Sequence, residues 1–297
     1  DVNSIDAINW RKKLNNADKT DLDSLFKKVK LLNLRNSIFI DNTADNLVSK
    51  EYKRYLENNI GVVTCNKIAC ADSYNNYKTL KTVSRKFNSP FLFETNVGAG
   101  LPVIDTLSNL IASGDQIIKI EAILSGSLNY IFNNFKSDDS FHQIVEEAMK
   151  KGLTEPDPRI DLSGIDVARK ILILARESGL EIELNDVKIN PFLPKKVSDA
   201  SSTNLFLESL KKHTSHFNSF LKSAINNKSS LKYVASLNEG KAEVGLREIP
   251  PGHDFFNIQG SDNIILFYTS RYKDNPLIVK GAGAGAEVTA SGIFGDI

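Results

Sequence analysis

KGLTEPDPRIDLSGIDVARKILILARESG, residues 151–179, joins a proline-stiffened loop to a strongly periodic apolar run. Ile165, Ala168, Ile171, Leu172 and Ala175 recur at helical spacing, which predicts an amphipathic helix over about 164–178. Ser163 and Asp166 stand three residues apart, the pattern of a capping box with Asp in place of Glu. Gly179 suits the C-terminal cap. Asp166 and Lys170 are four positions apart and share a helix face. In EPDP, two prolines fix their own φ and restrict the residues before them, so Glu155 is presented in one direction. Two readings follow. Either Asp166 caps the helix, Lys170 pairs with it and Glu155 is solvated, or the three converge on one site that grips an ammonium group and moves a proton.

Toward the N-terminus, residues 5–14 and 21–33 read as helices, and SIFID (37–41) as a short strand. A helix over 46–59, a strand in GVVTC (61–65), a helix over 73–87 and a strand in PFLFE (90–94) follow. Strands alternating with amphipathic helices imply parallel βαβ units and part of a doubly wound sheet. VGAGLP (97–102) breaks that pattern, and a helix (102–113), a strand (117–124) and a helix from SGSLNYIFN come next. A further helix is predicted near 140–150, and 181–230 is polar and mostly helical. From 231, LKYVASL, KAEVGLREI, NIILFYTSRY and PLIVK read as antiparallel strands, and GAGAGAEVTASGIFGDI enters a last helix.

The 297 residues suffice for two domains, with 41% hydrophobic and 25% charged residues supporting an ordinary core. Lys+Arg at 37 against Asp+Glu at 36 gives no basic footprint for nucleic acid. No run approaches the roughly 18 apolar residues of a membrane span. DVNSIDAINW lacks the apolar core of a signal peptide. It also lacks an initiator Met, consistent with a piece of something longer or a missing start. Two cysteines, Cys65 and Cys70, favour a reducing cytosol over a disulfide framework. They do not combine with His142, His213, His216 and His253 into a zinc ligand set.

Other stretches carry weaker chemical signals. TCNK (64–67) and IDNTAD (40–45) each end a strand, where open parallel sheets bind ligands, so Asn42, Thr43 and Lys67 can line one crevice or form ordinary turns. ETNVGAGLP (94–102) offers the Glu94 carboxylate beside carbonyls freed by glycines, which suits a hard cation or a plain tight turn. GAGAG (281–285) lets backbone approach a phosphate at a helix start, but the G-x-G-x-x-G fingerprint is not found.

NTAD, VVTCNKIA, TNVGAGLPVIDTL, ILSGSLNYIF, GLTEPDPRIDLSGIDVARK and GAGAGAEVTASG together resemble homoserine dehydrogenase, over nearly the whole chain. The match is close to the dehydrogenase half of bifunctional aspartokinase–homoserine dehydrogenases. The resemblance implies an α/β fold: a partial Rossmann-type parallel sheet (1–101), a catalytic region (102–230), dimerisation strands (231–284) in a mixed or antiparallel sheet, and a return to the nucleotide-binding domain (285–297). It implies NAD- or NADP-dependent interconversion of L-aspartate 4-semialdehyde and L-homoserine, toward threonine and methionine. By resemblance, Lys170 is the proton donor and acceptor, Glu155 holds substrate with Asp166 beside it, and Ser127 lies near the substrate. Lys67, between cofactor and substrate, is by resemblance a second catalytic residue and a cofactor contact. Asn42, Thr43, Gly152 and Gly285 match cofactor contacts, and Glu94, Val97, Ala99 and Leu101 match a sodium site. A cytoplasmic homodimer without nucleic-acid or membrane partners is expected, with fusion to an aspartokinase domain an open question.

Two departures stand out. Ile160 occupies a position where the family usually has Asp. The family's glycine-rich βαβ unit is not among these residues and the final helix is cut, so weak or no cofactor binding by these 297 residues is expected. The competing readings are a non-catalytic dimerisation or regulatory remnant, and an oxidoreductase for another amino-acid semialdehyde.

Overall fold

The computed structural model describes residues 5–17, 19–136 and 140–297. Helices α1 (Trp10–Asn15) and α2 (Leu22–Leu32) precede β1 (Ile38–Asp41). Next come α3 (Asn46–Ser49), α4 (Tyr52–Leu56) and β2 (Gly61–Thr64), then α5 (Ile68–Ala71), α6 (Tyr74–Phe87) and β3 (Phe91–Leu92). The three strands pair in parallel in the order β1-β2-β3, with Ile38 opposite Gly61 and Val62 opposite Phe91. Parallel pairing needs crossover helices, and it gathers the carboxyl ends of the strands at one edge.

The predicted helix over 46–59 is split by a tightened turn in which the Glu51 N–H donates to the Val48 carbonyl, three residues back, at 3.1 Å. PFLFE also forms less strand than its composition suggests. After Leu92 the chain enters a 3₁₀ turn, Glu94–Asn96, and the Glu94 carboxylate accepts the amides of Val103, Ile104 and Asp105 at 2.6, 2.7 and 2.7 Å. It thereby caps α7 (Ile104–Ala112) from a distance.

The second part holds β4 (Ile117–Ile123), α8 (Gly126–Asn134), α9 (Phe141–Lys150), α10 (Pro158–Leu162) and α11 (Ile165–Glu177). It continues through β5 (Lys188–Asn190), α12 (Lys195–Ser198), α13 (Thr203–Lys212) and α14 (Thr214–Asn226). Strands β6 (Ser230–Asn238), β7 (Lys241–Ile249), β8 (Asp262–Thr269) and β9 (Leu277–Ala282) lead to α15 (Ala286–Asp296). Six strands form a mixed sheet, β5-β7-β6-β4-β8-β9, in which only β5–β7 is parallel. The region 181–230 is thus not only helical. At three residues and partly exposed, β5 is too short to print a period-two pattern.

Helix α11 joins the two parts. Ile171 to Ala175 are all fully buried, so this helix is covered on every side in mid-course. Arg176, also buried, donates to the carbonyls of Cys70, Asp72 and Ile182 at 2.8, 2.7 and 3.1 Å, tying its C-terminus to α5 and the loop beyond it. Gly179 follows with φ +94°, and the Leu180 N–H reaches back to the Ala175 carbonyl, the left-handed cap expected there. Helix α15 returns to the first part, where the Asp296 carboxylate accepts the Glu94 N–H at 3.0 Å.

Among the described residues, one buried cation faces no carboxylate. Lys232 on β6 is 1% exposed and donates to Asn133 Oδ1 and the Ile258 carbonyl. Burial lowers its pKa to about 8. The unfolded chain keeps the proton up to about pH 10.4. Between those values the unfolded state binds more protons, so the Lys232 contribution to stability rises with pH. Lys232→Met lacks this slope, and its stability relative to the parent should fall by up to about 3 kcal/mol between pH 7.5 and 10. Urea unfolding at several pH values measures this; parallel curves for the two proteins would contradict it.

Candidate active site

The expected capping box does not form. Ser163 is the right-handed C-cap of α10, and the N-cap of α11 is Gly164, with φ +74°. Only glycine fits there, because a Cβ would lie 1.9 Å from Tyr233 Oη. The helix starts one residue later than the Ser163 pattern implies, and among the described residues Ser163 Oγ accepts only the Ile165 N–H, at 3.2 Å. The Asp166 carboxylate is therefore free of backbone duty. Its Oδ2 lies 2.9 Å from Lys170 Nζ, the pairing read from the four-residue spacing, and its Oδ1 lies 3.6 Å from Lys67 Nζ. Burial alone would raise the Asp166 pKa, but Lys170 and then Lys67 outweigh it and hold it down to about 2.

Lys170 also donates to the Leu124 carbonyl, 2.7 Å away at the end of β4. Its ammonium is thus fixed between a strand end and a carboxylate, with its side chain 13% exposed. Lys67 arrives from the end of β2. Its turn is fastened by the buried Asp41, whose carboxylate accepts the Thr43 N–H (2.8 Å), Tyr52 Oη (2.5 Å) and Asn66 Nδ2 (3.0 Å). Asp41 therefore locks the two turns carrying Thr43 and Lys67 to each other. Neither Asp41 nor Asn66 figures in the sequence reading, because their pairing spans 25 positions.

Lys67, Asp166 and Lys170 line one cleft of about 670 Å³. Thr43, Lys67, Ser127, Gly152, Glu155, Asp166, Lys170 and Gly285 all contribute to its wall. Glu155 is exposed at this wall, and its N–H donates to Asp161 Oδ2 at 2.9 Å. Asp161 Oδ1 accepts Ser127 Oγ at 2.9 Å, so one carboxylate orders both the proline loop and the start of α8. Asp161 is a further site residue that sequence reasoning passed over. Its available signal was its place inside the EPDPRID loop. Asn42 is not in the cleft wall; it is exposed, with Oδ1 4.0 Å from Cys65 Sγ. Ile160, half exposed, is in the wall. Glu94, Val97 and Ala99 are buried and Leu101 is half-buried, in a separate loop that does not line the cleft. No cluster of three His, Cys, Asp or Glu side chains suited to a metal occurs among the described residues, and both cysteines are free.

Comparison with known proteins agrees in both parts of the chain. A family profile for homoserine dehydrogenase matches residues 102–297, and one for the homoserine dehydrogenase NAD-binding domain matches residues 3–94. A bifunctional aspartokinase/homoserine dehydrogenase of Arabidopsis thaliana is 44% identical over 99% of this chain. The chain spans 32% of that protein's length. A homoserine dehydrogenase of Schizosaccharomyces pombe is 41% identical over 88% of this chain and 72% of its own length. Among solved structures, a Candida auris protein described as of unknown function matches with a TM-score of 0.92 at 34% identity, covering 99% of this chain and 83% of that one. A hyperthermophilic archaeal homoserine dehydrogenase mutant in complex with NADPH matches with a TM-score of 0.72 at 26% identity, covering 94% of this chain and 74% of that one. With matches spanning both the nucleotide-binding and the catalytic part, the chain belongs to the homoserine dehydrogenase family.

Proposed function

We propose that this chain forms the dehydrogenase part of an enzyme that interconverts L-aspartate 4-semialdehyde and L-homoserine with NAD or NADP, a step in amino-acid biosynthesis toward threonine and methionine. The observation that carries this reading is Lys170 Nζ, held by the Leu124 carbonyl and by a carboxylate whose other oxygen faces Lys67, all in one cleft. A bound nicotinamide supplies the hydride in reduction and takes it in oxidation. The Lys170 ammonium gives its proton to the substrate oxygen as the aldehyde is reduced, and the amine takes it back in oxidation. Asp166, with its charge shared by two lysines, serves best to aim them. The substrate ammonium then falls to Glu155, with Asp161 holding that loop in place. The start of α8, where Gly126 and Ser127 line the cleft, suits the substrate carboxylate.

The wall also fits a dinucleotide. Gly152 and Gly285 have φ +66° and +127°, and leave bare backbone where Thr43 and Lys67 bring a hydroxyl and a cation. A spectrophotometric assay of the full-length protein, following NADPH formation from L-homoserine and NADP, tests this reading. Turnover of a different amino alcohol with none of L-homoserine would reassign the substrate. Calorimetric titration of the 297-residue chain with NADPH tests the expected weak cofactor binding.

A sodium ion is a second part of the proposal. The Val97 and Ala99 carbonyls accept no hydrogen bond among the described residues, although both residues are buried. Gly98 and Ala99, at φ +82° and +54°, turn the loop beside the buried Glu94 carboxylate. Burial raises the Glu94 pKa, so a neighbouring cation would be favoured. Sodium chloride should raise the melting temperature by about 3 °C over choline chloride at equal ionic strength, and Glu94→Gln should abolish the difference. Equal melting in both salts would remove the sodium reading.

The homodimer reading is supported by β9, a sheet edge whose Ile278 is exposed. The aspartokinase fusion is supported by the bifunctional relatives, and the cytoplasmic reading by two free thiols.

A further inference from the structure

Asn263, the second residue of β8, is fully buried, and neither atom of its side-chain amide has a hydrogen-bond partner among the described residues. Ile264, Ile265, Leu266 and Phe267, which follow it, are all buried apolar residues, so packing alone would favour another hydrocarbon at this position. An unpaired buried amide costs about 1–3 kcal/mol, so it marks a function rather than a packing solution.

The neighbour of this amide is the glycine turn of the cleft. A Cβ on Gly283 would lie 2.0 Å from Asn263 Cγ and 2.2 Å from Nδ2, so glycine at 283 is what allows the backbone to lie against the amide. The β8–β9 ladder ends at the Asp262–Ala282 pair. Beyond it, the peptide groups of Gly283 and Ala284 make no hydrogen bond among the described residues, and the Gly285 carbonyl accepts the Thr289 N–H. Gly283, Ala284 and Gly285 all line the cleft. An amide carrying one donor group and one acceptor therefore lies buried against peptides that need both.

We propose that Asn263 is a positioning residue: its amide pairs with the Gly283–Ala284 peptides when the cleft is filled, and so sets which backbone groups the turn offers to the cofactor. This rests on the dehydrogenase reading above. Free peptides in a glycine turn sample several orientations, and one side-chain partner on the buried side selects among them before the ligand arrives.

The test uses the full-length enzyme with Asn263→Leu, close in shape but without hydrogen bonds, and Asn263→Ser, which keeps a donor and an acceptor. Asn263→Leu should melt at or above the parent temperature, because it removes an unpaired polar group. It should nevertheless bind NADPH about tenfold more weakly by fluorescence titration, the worth of an ordinary hydrogen bond, with a matching rise in cofactor KM and kcat within about threefold. Asn263→Ser should recover part of that affinity. NADPH affinity unchanged in Asn263→Leu overturns the inference, and so does a drop in melting temperature that Asn263→Ser shares without recovering affinity. Absence of L-homoserine turnover in the parent enzyme would sink the substrate reading instead, and NADPH titration of the variants still decides the role of Asn263.

Discussion

Lys170→Ala should lower turnover of L-homoserine about a hundredfold or more while leaving the fold in place. The side chain is held by the Leu124 carbonyl and the Asp166 carboxylate, a geometry that fixes Nζ at the cleft wall. Truncation leaves the Leu124 carbonyl without this donor, at a cost of about 1–2 kcal/mol, too little to unfold a domain of this size. Asp166 keeps Lys67 as a partner, so no buried charge is orphaned. The rate loss then has one source, the missing proton carrier. Lys170→Arg keeps the positive charge but places a planar fork where a compact ammonium was, and should not restore the rate. The measurement is steady-state kcat with L-homoserine and NADP, beside a thermal melt of each protein. A kcat within a few-fold of the parent, with the melt unchanged, would remove Lys170 from the chemistry.

Local chemistry was the part of the site that the sequence could display. Asp166 and Lys170 lie one helical turn apart, so their ion pair follows from spacing. Glu155 follows from the stiff EPDP loop. Lys67 was reachable because strand ends of parallel sheets gather at one edge. Its contact with Asp166, however, joins residues 99 positions apart, and no periodicity carries that. Asp161 was missed for the same reason: it meets Ser127 across 34 positions. The failed capping box has a different cause. A positive φ at Gly164 is set by the Tyr233 ring above it, a tertiary fact that moves the helix start by one residue. Likewise β3 ended early because Glu94 turned inward to cap a helix nine residues on, so its alternation stopped before its composition did. The resemblance adds expected roles where local patterns give only positions, and the sodium role proposed for the Glu94 loop is the clearest instance.

Gly164→Ala should be among the most destabilising single substitutions in the chain. Two costs add. The left-handed φ of +74° costs alanine about 1 kcal/mol that glycine avoids. The new methyl group would also lie 1.9 Å from Tyr233 Oη and 2.7 Å from Cζ, inside any tolerable contact. Tyr233 is buried and packed against Phe192, so it cannot swing away freely. Overpacking of this kind costs about 1–3 kcal/mol, which brings the total to about 2–4 kcal/mol. At this chain length the melting temperature should fall by about 3–6 °C. Activity should fall further than stability, because Gly164 launches the helix that carries Asp166 and Lys170. Gly179→Ala is the matched control: φ is +94° there, but nothing lies within 4 Å of the added carbon. It should show only the backbone cost. Adding Tyr233→Phe to Gly164→Ala removes the closest atom and should return part of the lost stability, but the ring carbon still blocks full recovery. Differential scanning calorimetry on the four proteins separates the terms. Equal losses for Gly164→Ala and Gly179→Ala would mean that the tyrosine ring yields at no cost, and that α11 does not depend on this contact for its start.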